Sequence, residues 1–158
     1  MMKKILAFIL SMTLLATGLT ACAAENNTSG DISVFLQIGN PNMTVNGTEK
    51  LIDENGTSPV IVNDRTLLPI RAVIEEMGGA VEWDGETQTV LLAYGGDIIT
   101  LAIDNSVAFL NDTAQTLDTA PTIINDRTML PIRFIAENFH FNVDWLQDEQ
   151  KVIITNMP

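Results

Sequence analysis

A single cysteine and a single histidine leave this chain almost without the side chains that hold transition metals. Copper and zinc sites are built from several His or Cys ligands, so Cys22 and His140 do not suffice for one. One cysteine also excludes an internal disulfide. Basic residues are scarce: eight Lys/Arg stand against twenty Asp/Glu, a formal charge of −12. Such a surface repels phosphate backbones and speaks against nucleic acid as a partner. A G-x-S-x-G nucleophile elbow is missing, and so is a glycine-rich phosphate loop; Gly95-Gly96 reads as a turn. The lone His has no Ser or Cys in a recognisable arrangement beside it. Twenty acids always offer pairs, so a small glycosidase-like hydrolase stays open as a third reading, but one needs a cleft and the loops are short. No enzyme activity and no cofactor is expected.

What is present begins with MMKKILAFILSMTLLATGLTAC. Lys3 and Lys4 form a basic start, and residues 5–19 are almost wholly apolar, shorter than a spanning helix wants. No later apolar run is longer. The segment ends Leu19-Thr20-Ala21-Cys22 and resembles the bacterial lipoprotein signal, or lipobox. That resemblance implies cleavage before Cys22 and a diacylglyceryl group on it; the alternative is an ordinary secretory signal with an incidental Cys. The expected organisation is a signal peptide over 1–21, a flexible tether over 22–33 (AENNTSGD is small and polar) and a domain over 34–158. The part from Cys22 onward keeps six Lys/Arg and all twenty acids, a formal charge of −14. Anionic headgroups do not attract such a surface, so the membrane is expected as a partner only through the Cys22 lipid.

A repeat governs the domain. Residues 61–71 read IVNDRTLLPIR and residues 123–133 read IINDRTMLPIR, with nine of eleven positions identical at an offset of 62. Over 61–92 and 123–154, fourteen of thirty-two positions are shared. Upstream, MTVNGTEKL (43–51) loosely matches AFLNDTAQTL (108–117) with a three-residue difference in spacing.

Each copy predicts the same elements. Val60-Ile61-Val62 is a strand, Asn63-Asp64 a turn that tolerates positive φ, and Arg65–Leu68 the returning arm. Pro69 suits the first turn of a helix, and Ile70, Val73, Ile74 and Met77 make one apolar face. Gly78-Gly79 ends that helix, and two strands joined by Asp84–Thr87 follow. In the second copy Asn125-Asp126 is the turn, Pro131 starts the helix, and Ile132, Ile135, Ala136 and Phe139 form the face. His140-Phe141 stands where the first copy has Gly78-Gly79, which leaves the cap there unsettled. Ile98–Ile103 and Val107–Leu110 are further strands, and Asn111-Asp112 another turn. The class is α+β: antiparallel hairpins with two short amphipathic helices, a two-fold repeat sharing one core.

Three groups of residues could carry chemistry. Asp53-Glu54-Asn55-Gly56 and Asp84-Gly85-Glu86 are acidic turns that do not match the EF-hand pattern. Trp83 and Trp145 could stack on sugars, but each stands two residues after a Val and so shares its strand face, which reads as core. One or two of Phe109, Phe134, Phe139 and Phe141 are left for the surface. Arg65, Arg71, Arg127 and Arg133 could form an anion site in each copy; against an acidic background they read more simply as partners of Asp and Glu, with Arg71–Glu75 and Arg133–Glu137 as helical neighbours.

The pattern N-D-R-T-x-L-P-I-R, a short amphipathic helix, then V-E-W-D or V-D-W and an apolar strand, resembles the copper amine oxidase N-terminal-like domain, or stalk domain, over roughly 34–156. The resemblance rests on Asn63, Asp64, Arg65, Pro69, Arg71 and Trp83, and on Asn125, Asp126, Arg127, Pro131, Arg133 and Trp145. It implies an accessory α+β module of bacterial exported and envelope proteins, in which copper and the quinone belong to a different, larger domain. The expectation is a non-catalytic lipoprotein on the outer face of the bacterial membrane, whose domain binds or spaces an envelope polymer or protein. The alternative is a receptor or inhibitor holding a small molecule or peptide between the copies, in a cavity lined by Tyr94, Phe134 or Phe141.

Overall fold

The computed structural model describes residues 31–156; the signal sequence, Cys22 and most of the tether lie outside them. The elements run β1 (Ser33–Gln37), β2 (Asn42–Val45), β3 (Thr48–Leu51), β4 (Val60–Val62), β5 (Arg65–Pro69), α1 (Ile70–Glu76), β6 (Ala80–Asp84) and β7 (Thr89–Tyr94). They continue β8 (Asp97–Ala102), β9 (Val107–Leu110), β10 (Thr113–Thr116), β11 (Thr122–Ile124), β12 (Arg127–Pro131), α2 (Ile132–Phe139), β13 (Phe141–Leu146) and β14 (Lys151–Asn156). Antiparallel sheets with two short helices make the fold α+β.

Tight turns account for much of this strand pairing. A two-residue hairpin turn that matches strand twist needs positive φ at both central residues, which Asn, Asp and Gly tolerate. Asn63 and Asp64 have φ 49° and 58°, and Asn125 and Asp126 have 51° and 58°. Asn46-Gly47, Gly95-Gly96 and Asn111-Asp112 also carry positive φ at both positions, between β2 and β3, β7 and β8, and β9 and β10.

The strands form three antiparallel sheets, ordered β13-β14-β1-β2-β3, β10-β9-β8-β7-β6 and β11-β12-β5-β4. The smallest sheet is central. Its inner strands β5 and β12 are buried on both faces, since consecutive Leu67, Leu68 and Pro69, and Met129, Leu130 and Pro131, are all buried. In their pairing Leu68 faces Leu130, with Leu67 opposite Pro131 and Pro69 opposite Met129. Each helix packs on this central pair and on one five-stranded sheet, α1 on β6 and α2 on β13. The buried faces are the expected ones: Ile70, Val73 and Ile74 with Met77, and Ile132, Ile135, Ala136 and Phe139. Side chains from all three sheets and both helices join in one apolar core.

The helix ends differ from expectation at one point and settle another. Pro69 and Pro131 end the preceding strands in extended conformation (φ −68°, ψ 91° and φ −67°, ψ 114°) and are N-caps, not first-turn residues. Proline fits there because the strand pairing asks no N–H of it. At the other end His140 adopts the left-handed conformation (φ 57°) that Gly78 (φ 88°) adopts after α1. The second helix is therefore stopped by the same backbone reversal, without glycine.

Candidate functional site

Two grooves open where a helix start, an edge strand and a hairpin turn meet. The first, of about 650 Å³, lies between Pro69 and Arg71 at the start of α1, Val81 and Trp83 on β6, and Asp126-Arg127 at the β11–β12 turn. The second, of about 530 Å³, lies between Pro131 and Arg133 at the start of α2, Val143 and Trp145 on β13, and Asp64-Arg65 at the β4–β5 turn. Both volumes fall in the range of small-ligand sites. Eleven of the fifteen residues lining each groove have counterparts 62 positions away in the other, these wall residues among them. Every groove thus takes helix and strand from one copy of the motif and the hairpin from the other copy.

Trp83 and Trp145 are not core residues. They are 40% and 37% exposed. The two-residue period puts them on the same face as Val81 and Val143, and all four line the grooves. That face leaves the core towards the end of the strand, where the start of the helix and the other copy's hairpin wall an open groove instead of covering it. The Trp145 indole Nε1 donates to Gln147 Oε1 at 2.8 Å, which fixes the ring. Exposed Ile61 lines the groove with Trp145, and exposed Ile123 the groove with Trp83.

Three of the four motif arginines are engaged within the fold. Arg127 Nε donates to Asp53 Oδ2 at 2.9 Å, with Asp53 only 12% exposed. Arg65 reaches Asp118 at 3.3 Å, where the carboxylate is 64% exposed. Arg71 Nη1 lies 3.3 Å from Glu75 Oε1 and donates to the Val81 carbonyl at 3.0 Å. Lys50 pairs with Glu76 and Lys151 with Glu149. Arg133 departs from expectation: among the described residues it is exposed and makes no ion pair, with Glu137 or any other acid.

The acidic turns are closed on themselves. Asp53 Oδ1 accepts from the Asn55 and Thr57 amides at 2.9 and 3.1 Å. Burial alone pushes the Asp53 carboxyl up, but the hydrogen bonds of Thr57 and Asn55 and the Arg127 charge together hold it below its ordinary value. Asp84 is likewise held down, first by the Thr87 hydroxyl at 2.7 Å and then by the Glu86 amide at 2.9 Å. No three His, Cys, Asp or Glu side chains stand close enough to hold a metal ion among the described residues.

Of the aromatic residues expected around a cavity, Phe141 lines the second groove, while Tyr94 and Phe134 pack against the core instead. Tyr94 packs edge-on against Phe141 with ring centroids 4.7 Å apart, and Phe139 lies 5.7 Å from Tyr94. Phe134 is partly buried against the core, and of Phe109, Phe134, Phe139 and Phe141 it is Phe109 that is exposed.

Residues 54–154 match the family model of the copper amine oxidase N-terminal domain. The chain belongs to that family. No curated protein matches it. The copper amine oxidase N-terminal domain is a non-catalytic, stalk-like domain, which is compatible with a chain that is not an enzyme. Copper does not fit the residues present, since this copy of the domain has one His, at α2's end, and no second imidazole to join it.

Sequence reasoning missed Asp53 and Asp118 as arginine partners, because the contacts join residues 74 and 53 positions apart. It also missed the grooves, which need two distant segments on opposite walls. One signal was available: the Asn-Asp-Arg triplet and the Trp recur at the same offset, so a feature built from both has to occur twice.

Proposed function

We propose that this chain is a non-catalytic, lipid-anchored protein of the bacterial cell envelope, held on the outer face of the membrane by a lipid on Cys22. Its domain is a duplicated unit that works as a binding module. The observation that carries the binding reading is the pair of grooves, each walled by a half-exposed Trp and an Arg of its own unit and by the hairpin of the other. A pure spacer has no need of two open, aromatic-walled grooves.

Two observations support duplication. Leu68 and Leu130 are partners in β5–β12, as expected at a two-fold axis between equivalent strands. Asn46 Oδ1 accepts from the Ser33 amide and Asn111 Oδ1 from the Ile98 amide, both at 2.9 Å. The anchor rests on the Leu-Thr-Ala-Cys signal. Cells fed a fatty-acid analogue should label the wild-type chain and not Cys22→Ala, which should leave the membrane fraction. An unlabelled wild type together with a membrane-bound variant defeats the anchor. For the binding module, the tagged full chain should retain material from detergent-solubilised envelope fractions; an empty capture defeats it.

A further inference from the structure

We propose that the two grooves are sites for an envelope glycan of uncharged sugar rings bearing sparse carboxylates. This deepens the binding-module reading and rests on it. The second groove is the better defined. Hydrogen bonding to Gln147 occupies the Trp145 N–H, so the indole offers its face and not its edge. A flat ring with C–H groups on one face and hydroxyls at its rim suits such a wall, with apolar contact below and polar partners around. Those partners line the groove as Gln147, Gln150, Asp64, Glu137, Arg65 and Arg133.

Charge narrows the class. The whole chain carries −12, so a densely anionic polymer is repelled at long range. Locally the balance differs. Arg133 is the one Lys or Arg, among the described residues, without a carboxylate partner, and it stands in the groove with Trp145. A guanidinium binds a carboxylate in a bidentate fork. A ligand with mostly uncharged rings and an occasional carboxylate satisfies both conditions. In the first groove Arg71 and Arg127 are already committed, and Asp53, Glu54, Glu75 and Asp126 line it. That groove accommodates an uncharged ring beside Trp83. An extended peptide fits less well there, since strand addition needs free backbone groups and the Val81 carbonyl is taken by Arg71.

The chain contains two tryptophans, Trp83 and Trp145, one in each groove, so tryptophan emission reads both grooves. The test titrates the full chain in detergent micelles with two probes: a short uncharged N-acetylglucosamine oligomer, and peptide-free glycan strands carrying lactyl carboxylates. Both should shift the emission. The carboxylated strand should bind about tenfold or more tightly than the uncharged one, and Arg133→Gln should abolish that preference. In Trp83→Phe the emission of Trp145 should report the second groove alone, and in Trp145→Phe the emission of Trp83 the first. Urea midpoints of the three variants, all at exposed positions, establish that they fold. Emission unmoved by both probes, or a preference unchanged in Arg133→Gln, overturns the proposal. If emission stays unmoved while the tagged chain still retains an envelope protein, the glycan assignment falls and the binding module stands; if nothing is retained, both fall.

Discussion

Leu68 and Leu130 stand opposite one another in the β5–β12 pairing, and they are the same position in the two copies of the motif. Both are fully buried. The pairing lies at the centre of the molecule, and both helices pack on it. Leu68→Ala and Leu130→Ala should each destabilise by about 2–5 kcal/mol, because deep leucine truncation loses transfer energy and leaves a cavity. The double variant should fall short of the sum, since the two cavities adjoin. Urea unfolding of the four proteins measures both effects, and strict additivity would contradict the adjoining placement.

The two hairpin arginines should separate in their effects. Arg127 pairs with a carboxylate that is 12% exposed, Arg65 with one that is 64% exposed. Removing the first leaves Asp53 largely desolvated with its charge uncompensated, so Arg127→Ala should cost about 1–3 kcal/mol. Arg65→Ala should cost at most about 1 kcal/mol and respond to salt. Equal losses, measured by chemical denaturation at low and high ionic strength, would mean that burial does not set the difference.

Acid stability follows from Asp53. Its carboxyl is held below its ordinary value in the folded state, so the unfolded chain takes up the proton first on acidification. The stabilisation is present above the ordinary carboxylate range, near pH 4, and is lost as pH falls through the folded value. Wild-type stability should therefore drop between about pH 5 and pH 3 more steeply than that of Asp53→Asn. Parallel curves would assign the acid sensitivity to other carboxylates, Asp84 among them.

Substitutions after the two helices separate a close approach, at Gly79, from a backbone reversal, at His140. A Cβ on Gly79 would meet the Ala93 carbonyl oxygen at 2.6 Å and Ile74 Cγ2 at 2.7 Å. Gly79→Ala should therefore lower the melting temperature clearly. His140 holds a left-handed conformation that costs a residue with a Cβ about 1 kcal/mol. His140→Gly should leave stability equal or raise it by up to about 1 kcal/mol. A clear loss would show that the imidazole does more than end the helix.

Local chemistry made much of the fold legible. Asn63-Asp64 and Asn125-Asp126 announce hairpins because few other pairs accept positive φ twice, and the helix faces follow from spacing alone. Trp145 was misread for an instructive reason: the period of two gave its face correctly, but a face is buried only as far as something covers it. That cover depends on where α2 starts and on the Asn63-Asp64 hairpin, more than 80 residues upstream. The arginines were divided for a similar reason. Their partners Asp53 and Asp118 sit in loops that no local pattern connects to the motif, and an arginine left over, Arg133, becomes visible only once every other pair has been placed.

The ends of the described chain meet. β1 pairs with β14 along its whole length, and the Ile32 amide donates to Asn156 Oδ1 at 2.6 Å across a separation of 124 residues. The same kind of antiparallel contact between β7 and β8 is bridged covalently by Gly95-Gly96. The path of the described chain thus returns on itself, with its covalent gap at one of two comparable places. Moving the gap, by joining the region after Asn156 to the region before Ile32 and opening the chain at Gly95-Gly96, would leave every sheet with the neighbours it now has.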